Sequence, residues 1–154
     1  MAKTDRKQEV SRGSELRSLD VFIGRWINKG ETVDGAIGPG EEIFTSDVYE
    51  WAPGGFFVLH SAYGRIGEMD VGGIEVIGFD PTSRTYRSHF FDSEGNVSVH
   101  ELSVRDGVWR WQGERTRATA TFSDDGKTQT VHHERSEDSG RWAPSMEVVL
   151  RKVV

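Results

Sequence analysis

Two groups that can carry charge interrupt otherwise apolar segments near the middle of the chain, His60 and Glu75. His60 follows the run Phe56-Phe57-Val58-Leu59, and Glu75 stands between Ile74 and Val76. A histidine can act as a general base, as a haem or metal ligand, or as a hydrogen-bond partner of a bound molecule. Burial would raise the pKa of a carboxylate, and a carboxylate beside a histidine can support acid–base chemistry. We therefore expect the functional site here.

Both residues also have structural interpretations. His60 could be half-buried and hydrogen-bonded to a neighbouring strand, and Glu75 could face water on the polar side of its strand. The alternation of Glu75 with Ile77 and Phe79 favours the inside, because every second side chain of a strand points the same way. The choice between these interpretations stays open at this point.

The other histidines are His89, His100, His132 and His133. None of them forms a zinc-binding spacing such as H-E-x-x-H. His132 and His133 are adjacent in a predicted strand, so at most one of them can face the interior. We predict neither a metal nor a cofactor, although a three-histidine site assembled across strands cannot be read from spacing.

A single short helix is predicted near the N-terminus. Ser14 is a candidate N-cap, the spacing of Leu16, Leu19 and Ile23 gives one helical face, and Gly24 ends the helix. Residues 1–13 are charged and nearly free of apolar side chains, so we expect a disordered tail. Residues 14–154 are then one domain, which is the size that this length suggests.

The rest of the chain predicts about ten strands, which are separated by turns rich in Gly and Asx. The strands are predicted at Arg25–Val33, Glu42–Trp51, Phe56–Tyr63, Ile74–Phe79, Thr85–Phe91, Val97–Val104, Val108–Gly113, Thr116–Phe122, Lys127–Glu137 and Arg141–Arg151. Short turns join antiparallel neighbours, and closure removes the unpaired edges of such a meander. The predicted fold is therefore an all-β, up-and-down antiparallel barrel, with the helix at one end.

The amino-acid composition of the chain limits the classes of partner and chemistry that we expect. The net charge is −6, which argues against nucleic acid and anionic membranes. The absence of cysteine excludes disulfides and thiolate chemistry. No apolar run is long enough for a signal sequence or a membrane span, so we expect a cytoplasmic protein. Nothing in the pattern decides between a monomer and a homodimer.

Several segments together resemble the DUF1579 family. They are Tyr49-Glu50-Trp51, Pro53-Gly54-Gly55-Phe56-Phe57 with His60, Glu75-Val76-Ile77-Gly78-Phe79-Asp80-Pro81, and Tyr86 with His89-Phe90-Phe91-Asp92. The resemblance continues through Phe122-Ser123-Asp124-Asp125-Gly126 and Trp142. It implies a lipocalin-like, calycin-type barrel. It carries no activity and no catalytic residue, because the family is defined by unknown function.

The sequence thus favours a barrel that binds a small, mostly apolar molecule. The predicted ligand-binding residues are His60, Glu75, Trp51, Tyr86, His89, Trp109, Trp111 and Trp142. Two alternatives use the same cavity. One is an enzyme with His60 or Glu75 as the base, and the other is a haem-binding barrel resembling the nitrobindins, with one histidine as axial ligand.

Overall fold

The computed structural model describes residues 13–33, 40–138 and 140–153. The predicted tail lies outside the described residues except for Gly13. Gly13 is the N-cap of α1 (Ser14–Ser18), and its carbonyl accepts a hydrogen bond from the Arg17 N–H at 3.2 Å. The prediction of Ser14 as the N-cap was therefore wrong by one residue.

The helical region ends before Gly24, as predicted, but its second half is a 3-10 turn over Leu19–Phe22. Side chains three residues apart lie above one another in a 3-10 helix. This geometry directs Leu19 and Phe22 together into the protein, where both are fully buried. The change to a 3-10 helix thus brings both Leu19 and Phe22 into the core within one helical turn.

Ten antiparallel strands follow and close into a barrel, which confirms the predicted fold. They are β1 (Gly24–Thr32), β2 (Glu42–Trp51), β3 (Phe57–Ile66), β4 (Met69–Asp80), β5 (Thr85–Asp92), β6 (Val97–Arg105), β7 (Val108–Gln112), β8 (Thr116–Phe122), β9 (Thr128–Asp138) and β10 (Arg141–Lys152). Each strand pairs with its neighbours in sequence, and β1 also pairs with β10. The sheet therefore has no free edge.

The hairpin β3–β4 is longer than predicted. The predicted strands ended at Tyr63 and resumed at Ile74, but both strands continue to a turn at Gly67-Glu68. The reason is clearest at Gly64, where an added Cβ would lie 1.9 Å from the Phe44 carbonyl oxygen of β2. Glycine here permits a close approach of two strands rather than a loop.

A β-bulge in β10 changes which side chains face inward. The pairing of β10 with β9 shifts between Pro144 and Met146. Because one extra residue reverses the alternation of side chains, Met146 faces the interior while Trp142 lies outside, under the guanidinium of Arg117 at 4.4 Å from its ring centroid. An unbroken alternation would place Trp142 and Met146 on the same face, but the bulge places them on opposite faces.

The helical segment closes one end of the barrel. The Phe22 ring lies 5.1–5.6 Å, between centroids, from four other rings, those of Tyr49, Trp109, Trp111 and Phe122. The Trp26 Nε1–H donates to the Phe22 carbonyl at 2.9 Å. Aromatic side chains thus fill this end, as expected for a chain that has few aliphatic residues.

Candidate functional site

The centre of the barrel wall holds a buried cluster of three ionisable side chains, Asp47, His60 and Glu75. His60 and Glu75 are directly paired across β3 and β4, and Asp47 comes from the adjacent β2. The His60 Nδ1 lies 2.9 Å from Glu75 Oε1, and its Nε2 lies 2.7 Å from Asp47 Oδ2. Each strand therefore supplies one member, and the imidazole lies between two carboxylates.

The two carboxylates favour a protonated His60. An ionised carboxylate can only accept a hydrogen bond, so with both acids ionised both ring nitrogens donate and the imidazole is a cation. Burial alone would lower the pKa of His60, but the hydrogen bonds and charges of Asp47 and Glu75 outweigh it and raise the pKa to about 9. With both acids ionised, the Asp47–His60–Glu75 cluster carries a formal charge of −1.

Further donors satisfy the two carboxylates. Glu75 Oε2 accepts from Ser88 Oγ at 2.5 Å and from Trp111 Nε1 at 3.2 Å. Burial acts to raise the pKa of Glu75, but its interactions with His60, then those with Ser88 and Trp111, lower it overall. Asp47 Oδ1 accepts from Thr45 Oγ at 2.5 Å. The cluster is therefore a closed hydrogen-bond network.

Tyr49 covers one face of this network. Its ring stacks on His60 with centroids 3.8 Å apart and planes inclined by 10°. Such stacking on an imidazolium is a cation–π contact. Burial, together with the charges of Glu75 and Asp47, raises the pKa of Tyr49 well above its usual value, so the phenol stays neutral.

The network limits what His60 and Glu75 can do chemically. A general base needs an unshared electron pair within reach of the substrate. Both nitrogens of His60 are protonated, and both oxygens of Glu75 already accept hydrogen bonds. This arrangement does not support a role as general base for either residue. It does explain how their charges are stabilised inside an apolar wall.

A second group of inward side chains lies on the other side of the interior. We call Trp111, Ala118, His133 and Met146 the interior belt, because they are directly paired in sequence across β7, β8, β9 and β10. All four are only half-buried. Trp111, Ala118 and Met146 pack against the core cluster, and the Trp111 ring contacts Phe22 of the helix end at 5.6 Å between centroids. The interior belt therefore borders the helix-end core and still retains some exposed surface.

His133 is the polar member of the interior belt. Its side chain makes no hydrogen bond to the residues that the structure describes. Burial lowers its pKa to about 4, and the charges of Glu75 and Asp47 oppose this from across the interior. At neutral pH His133 is therefore an uncharged imidazole with one donor and one acceptor nitrogen.

His100 lies beside this belt on β6. Its Nε2 is 2.7 Å from Thr116 Oγ1, and burial lowers its pKa. An added Cβ at Gly113 would lie 2.8 Å from the His100 ring, so this glycine makes room for the imidazole. Across residues 13–33, 40–138 and 140–153, no cluster of three His, Asp or Glu side chains has an arrangement suited to a metal ion.

Comparison with known proteins places the chain in a family. The DUF1579 family, described as proteins of unknown function, matches residues 11–152. This chain is a DUF1579 protein. No curated protein matches it significantly, and none of the described helices is long and apolar enough to cross a membrane.

A solved structure similar to this DUF1579 protein is the crystal structure of Rv2717c from M. tuberculosis. The TM-score is 0.68 at 11% sequence identity, over 94% of this chain and 100% of that one. At this identity the likeness shows a shared fold, which is the barrel described above.

The predicted site residues of the DUF1579 protein divide into three groups. His60, Glu75 and Trp111 meet in one network, and Trp109 is buried beside Phe22. Trp51 and Tyr86 hold the helical segment, since the Trp51 indole donates to Asp20 at 2.8 Å and the Tyr86 hydroxyl donates to the Glu15 carbonyl at 2.8 Å. His89 and Trp142 lie on the outer surface and do not face the interior.

Sequence reasoning missed Asp47 and Tyr49 and did not choose between His132 and His133. The buried face of β2 is formed by Ile43, Thr45, Asp47 and Tyr49. The alternation of polar and apolar residues did not mark this face, because two of these residues are polar and the outward Phe44 and Val48 are apolar. The sequence could not show that Asp47 reaches His60, because that contact depends on the register between β2 and β3. The sequence likewise gave no indication that the Ser88 hydroxyl donates a hydrogen bond to Glu75.

Proposed function

We propose that this DUF1579 protein binds a small amphipathic molecule inside its barrel, against the interior belt. The observation that carries the proposal is the interior belt, whose four inward side chains retain exposed surface. Trp111, Ala118 and Met146 offer apolar contact, and the neutral His133 offers one polar contact. Few, well-placed polar groups in a mainly apolar lining are typical of small-molecule sites.

The charge of the interior favours neutral or cationic ligands over anions. The buried charged side chains among the described residues are Asp47, His60 and Glu75, with no buried Lys or Arg. The formal charge of −1 would repel a carboxylate or phosphate in this low-dielectric space. A fatty acid anion is therefore a poor candidate, and a neutral amphiphile or an amine is a better one.

Fluorescence titration tests the proposal with two probes of similar size, neutral N-phenyl-1-naphthylamine and anionic 1-anilinonaphthalene-8-sulfonate. We expect the neutral probe to bind more tightly and to change Trp111 emission. His133→Gln should weaken binding, and Ala118→Leu should weaken it by filling the space. His132→Gln is the matched control, because the adjacent His132 side chain is 58% exposed on the outside.

Two results would contradict the proposal. One is failure of both probes to bind, and the other is binding that neither His133→Gln nor Ala118→Leu weakens. An absorption spectrum of the same protein with added haem addresses the nitrobindin-like alternative. His60 has no free nitrogen for iron, so a Soret band that persists in His133→Gln would exclude His133 as its ligand. The cytoplasmic location stays a prediction.

A further inference from the structure

The outer face of strands β3–β6 carries an apolar surface, which we call the outer patch. Two rows of directly paired outward residues form its centre, Ser61–Ile74–Phe91–Val97 and Leu59–Val76–His89–Val99. Tyr63 and Phe57 flank these rows. Six apolar members are 46–59% exposed, namely Phe57, Tyr63, Ile74, Phe91, Val97 and Val99.

Glycines make the outer patch smooth. The Tyr63 ring lies over Gly72 and the Phe57 ring over Gly78, where an added Cβ would meet these rings at 2.7 Å and 2.8 Å. The two aromatic side chains therefore lie along the sheet instead of standing out from it. Flat, rigid aromatic rings lose little conformational entropy on association and are common anchors of interfaces.

The outer patch can supply the apolar centre of one side of a homodimer interface. An aromatic side chain has about 150–250 Å² of surface, so the three half-exposed rings of Phe57, Tyr63 and Phe91 leave roughly 300 Å² of apolar area. Ile74, Val97 and Val99 add their exposed surface to this area. The largest patch of a typical monomer is about 300–600 Å². One side of a standard interface covers about 800 Å², of which about 65% is apolar in homodimers, or roughly 520 Å².

Charges at the edges of the outer patch are also self-complementary. One edge carries the ion pair of Arg65 and Asp70, with Nε 3.0 Å from Oδ1. The other edge carries Arg87 and Glu101, which are directly paired across β5 and β6. Each of these two ends thus has one basic and one acidic residue, and the exposed Glu50 adds a further acidic residue beside Leu59. A second copy can meet either edge without like charges being forced together, despite the net charge of −6.

We propose that the outer patch is the interface of a two-fold symmetric homodimer of this chain. Two copies of one self-complementary surface make a closed, isologous contact, and the barrel interiors remain on the far side of each wall. The proposal is independent of ligand binding in the interior.

Sedimentation equilibrium or light scattering tests the dimer. We expect wild-type protein at micromolar concentration to have twice the chain mass of 17.3 kDa. Val99→Glu places a charge at the centre of the outer patch and should give the mass of one chain. Thr121→Glu is the matched control, because Thr121 has a similar shape and is exposed on β8 outside the patch; it should remain dimeric.

A second variant tests the interface independently, in case Val99→Glu does not fold. Phe91→Ala removes one aromatic anchor from each copy and should raise the dimer dissociation constant about 30-fold. Circular dichroism would confirm the barrel in every variant. A wild-type mass of one chain, a mass that grows beyond two chains, or a Val99→Glu protein as dimeric as Thr121→Glu would overturn the proposal.

Discussion

Two interior histidines with opposite pKa shifts should give this barrel a stability maximum near neutral pH. His60 has a pKa raised from 6.5 to about 9, and His133 has a pKa lowered from 6.5 to about 4. Folding therefore favours the protonated form of one and the neutral form of the other. Both contributions are present together only near pH 6.5, so the free energy of unfolding should decrease in both directions.

The alkaline decrease comes from His60. Its stabilising contribution is complete below the unfolded pKa of 6.5 and is lost as the pH rises through the folded pKa of about 9. In that interval the folded state holds a proton that the unfolded state has released. A difference of about 2.5 units at 1.36 kcal/mol each corresponds to about 3 kcal/mol of unfolding free energy.

The acid decrease comes from His133. In the interval between 6.5 and about 4 the unfolded state binds a proton that the folded state does not, so stability is lost as the pH falls. At about pH 5 the loss should be about 2 kcal/mol. Glu75, with a pKa lowered from 4.5, contributes a loss only below that value. Measurements above pH 5 thus exclude Glu75, and His100, whose pKa burial also lowers, adds to the decrease from His133.

Urea unfolding followed by tryptophan fluorescence at about pH 5, 6.5 and 9 measures both decreases. His133→Gln should reduce the acid decrease to the part that His100 contributes and leave the alkaline one, whereas the outward His132→Gln should change neither. Unfolding free energy that rises between pH 6.5 and 9 would refute the assignment of a buried imidazolium at His60. An acid decrease of unchanged size in His133→Gln would refute the neutral imidazole at His133.

Two further variants test the closed network and the strand geometry. Glu75→Gln removes one of the two anions beside the His60 cation and should lower the free energy of unfolding by about 3–5 kcal/mol, as the loss of one buried partner usually does. Urea midpoints at pH 6.5 measure this loss, with the exposed Glu50→Gln as the control. A loss below about 1 kcal/mol would contradict the network. Gly64→Ala forces β2 and β3 apart at the Phe44 carbonyl and should cost more than about 2 kcal/mol, so a thermal midpoint equal to wild type would contradict that contact.

The fold could be predicted because its determinants are local. Turn chemistry fixed the number of strands, and Asp106 and Gly107, with φ of 51° and 76°, adopt the positive values that such hairpin turns need. The errors arose where a long-range contact overrides local preference. Glycine is typical of turns, but Gly64 lies within β3, where it lets the backbone of β2 approach closely. A bulge near Pro144 likewise reverses the face on which Trp142 lies.

The candidate site was predictable only in part, because its chemistry depends on register. The alternation of Glu75 with Ile77 and Phe79 favoured an inward Glu75, but the sequence left the orientation of His60 open. It could not show that His60 and Glu75 face each other or that Asp47 takes the second nitrogen of His60. That third contact reverses the interpretation of His60. A histidine with one carboxylate partner keeps a nitrogen free for a substrate or metal, whereas a histidine between two carboxylates does not.

The Asp47–His60–Glu75 cluster therefore shapes the interior rather than supplying its reactive group. Burying three ionised side chains costs desolvation that their attraction only partly offsets, so such clusters are weak evidence for stability by themselves. The cluster instead positions two aromatic side chains. Glu75 Oε2 accepts a hydrogen bond from the Trp111 indole at 3.2 Å, and the His60 ring stacks on Tyr49 with centroids 3.8 Å apart. These contacts order the part of the wall that faces the proposed site, in which His133 would offer its ring nitrogens to the ligand.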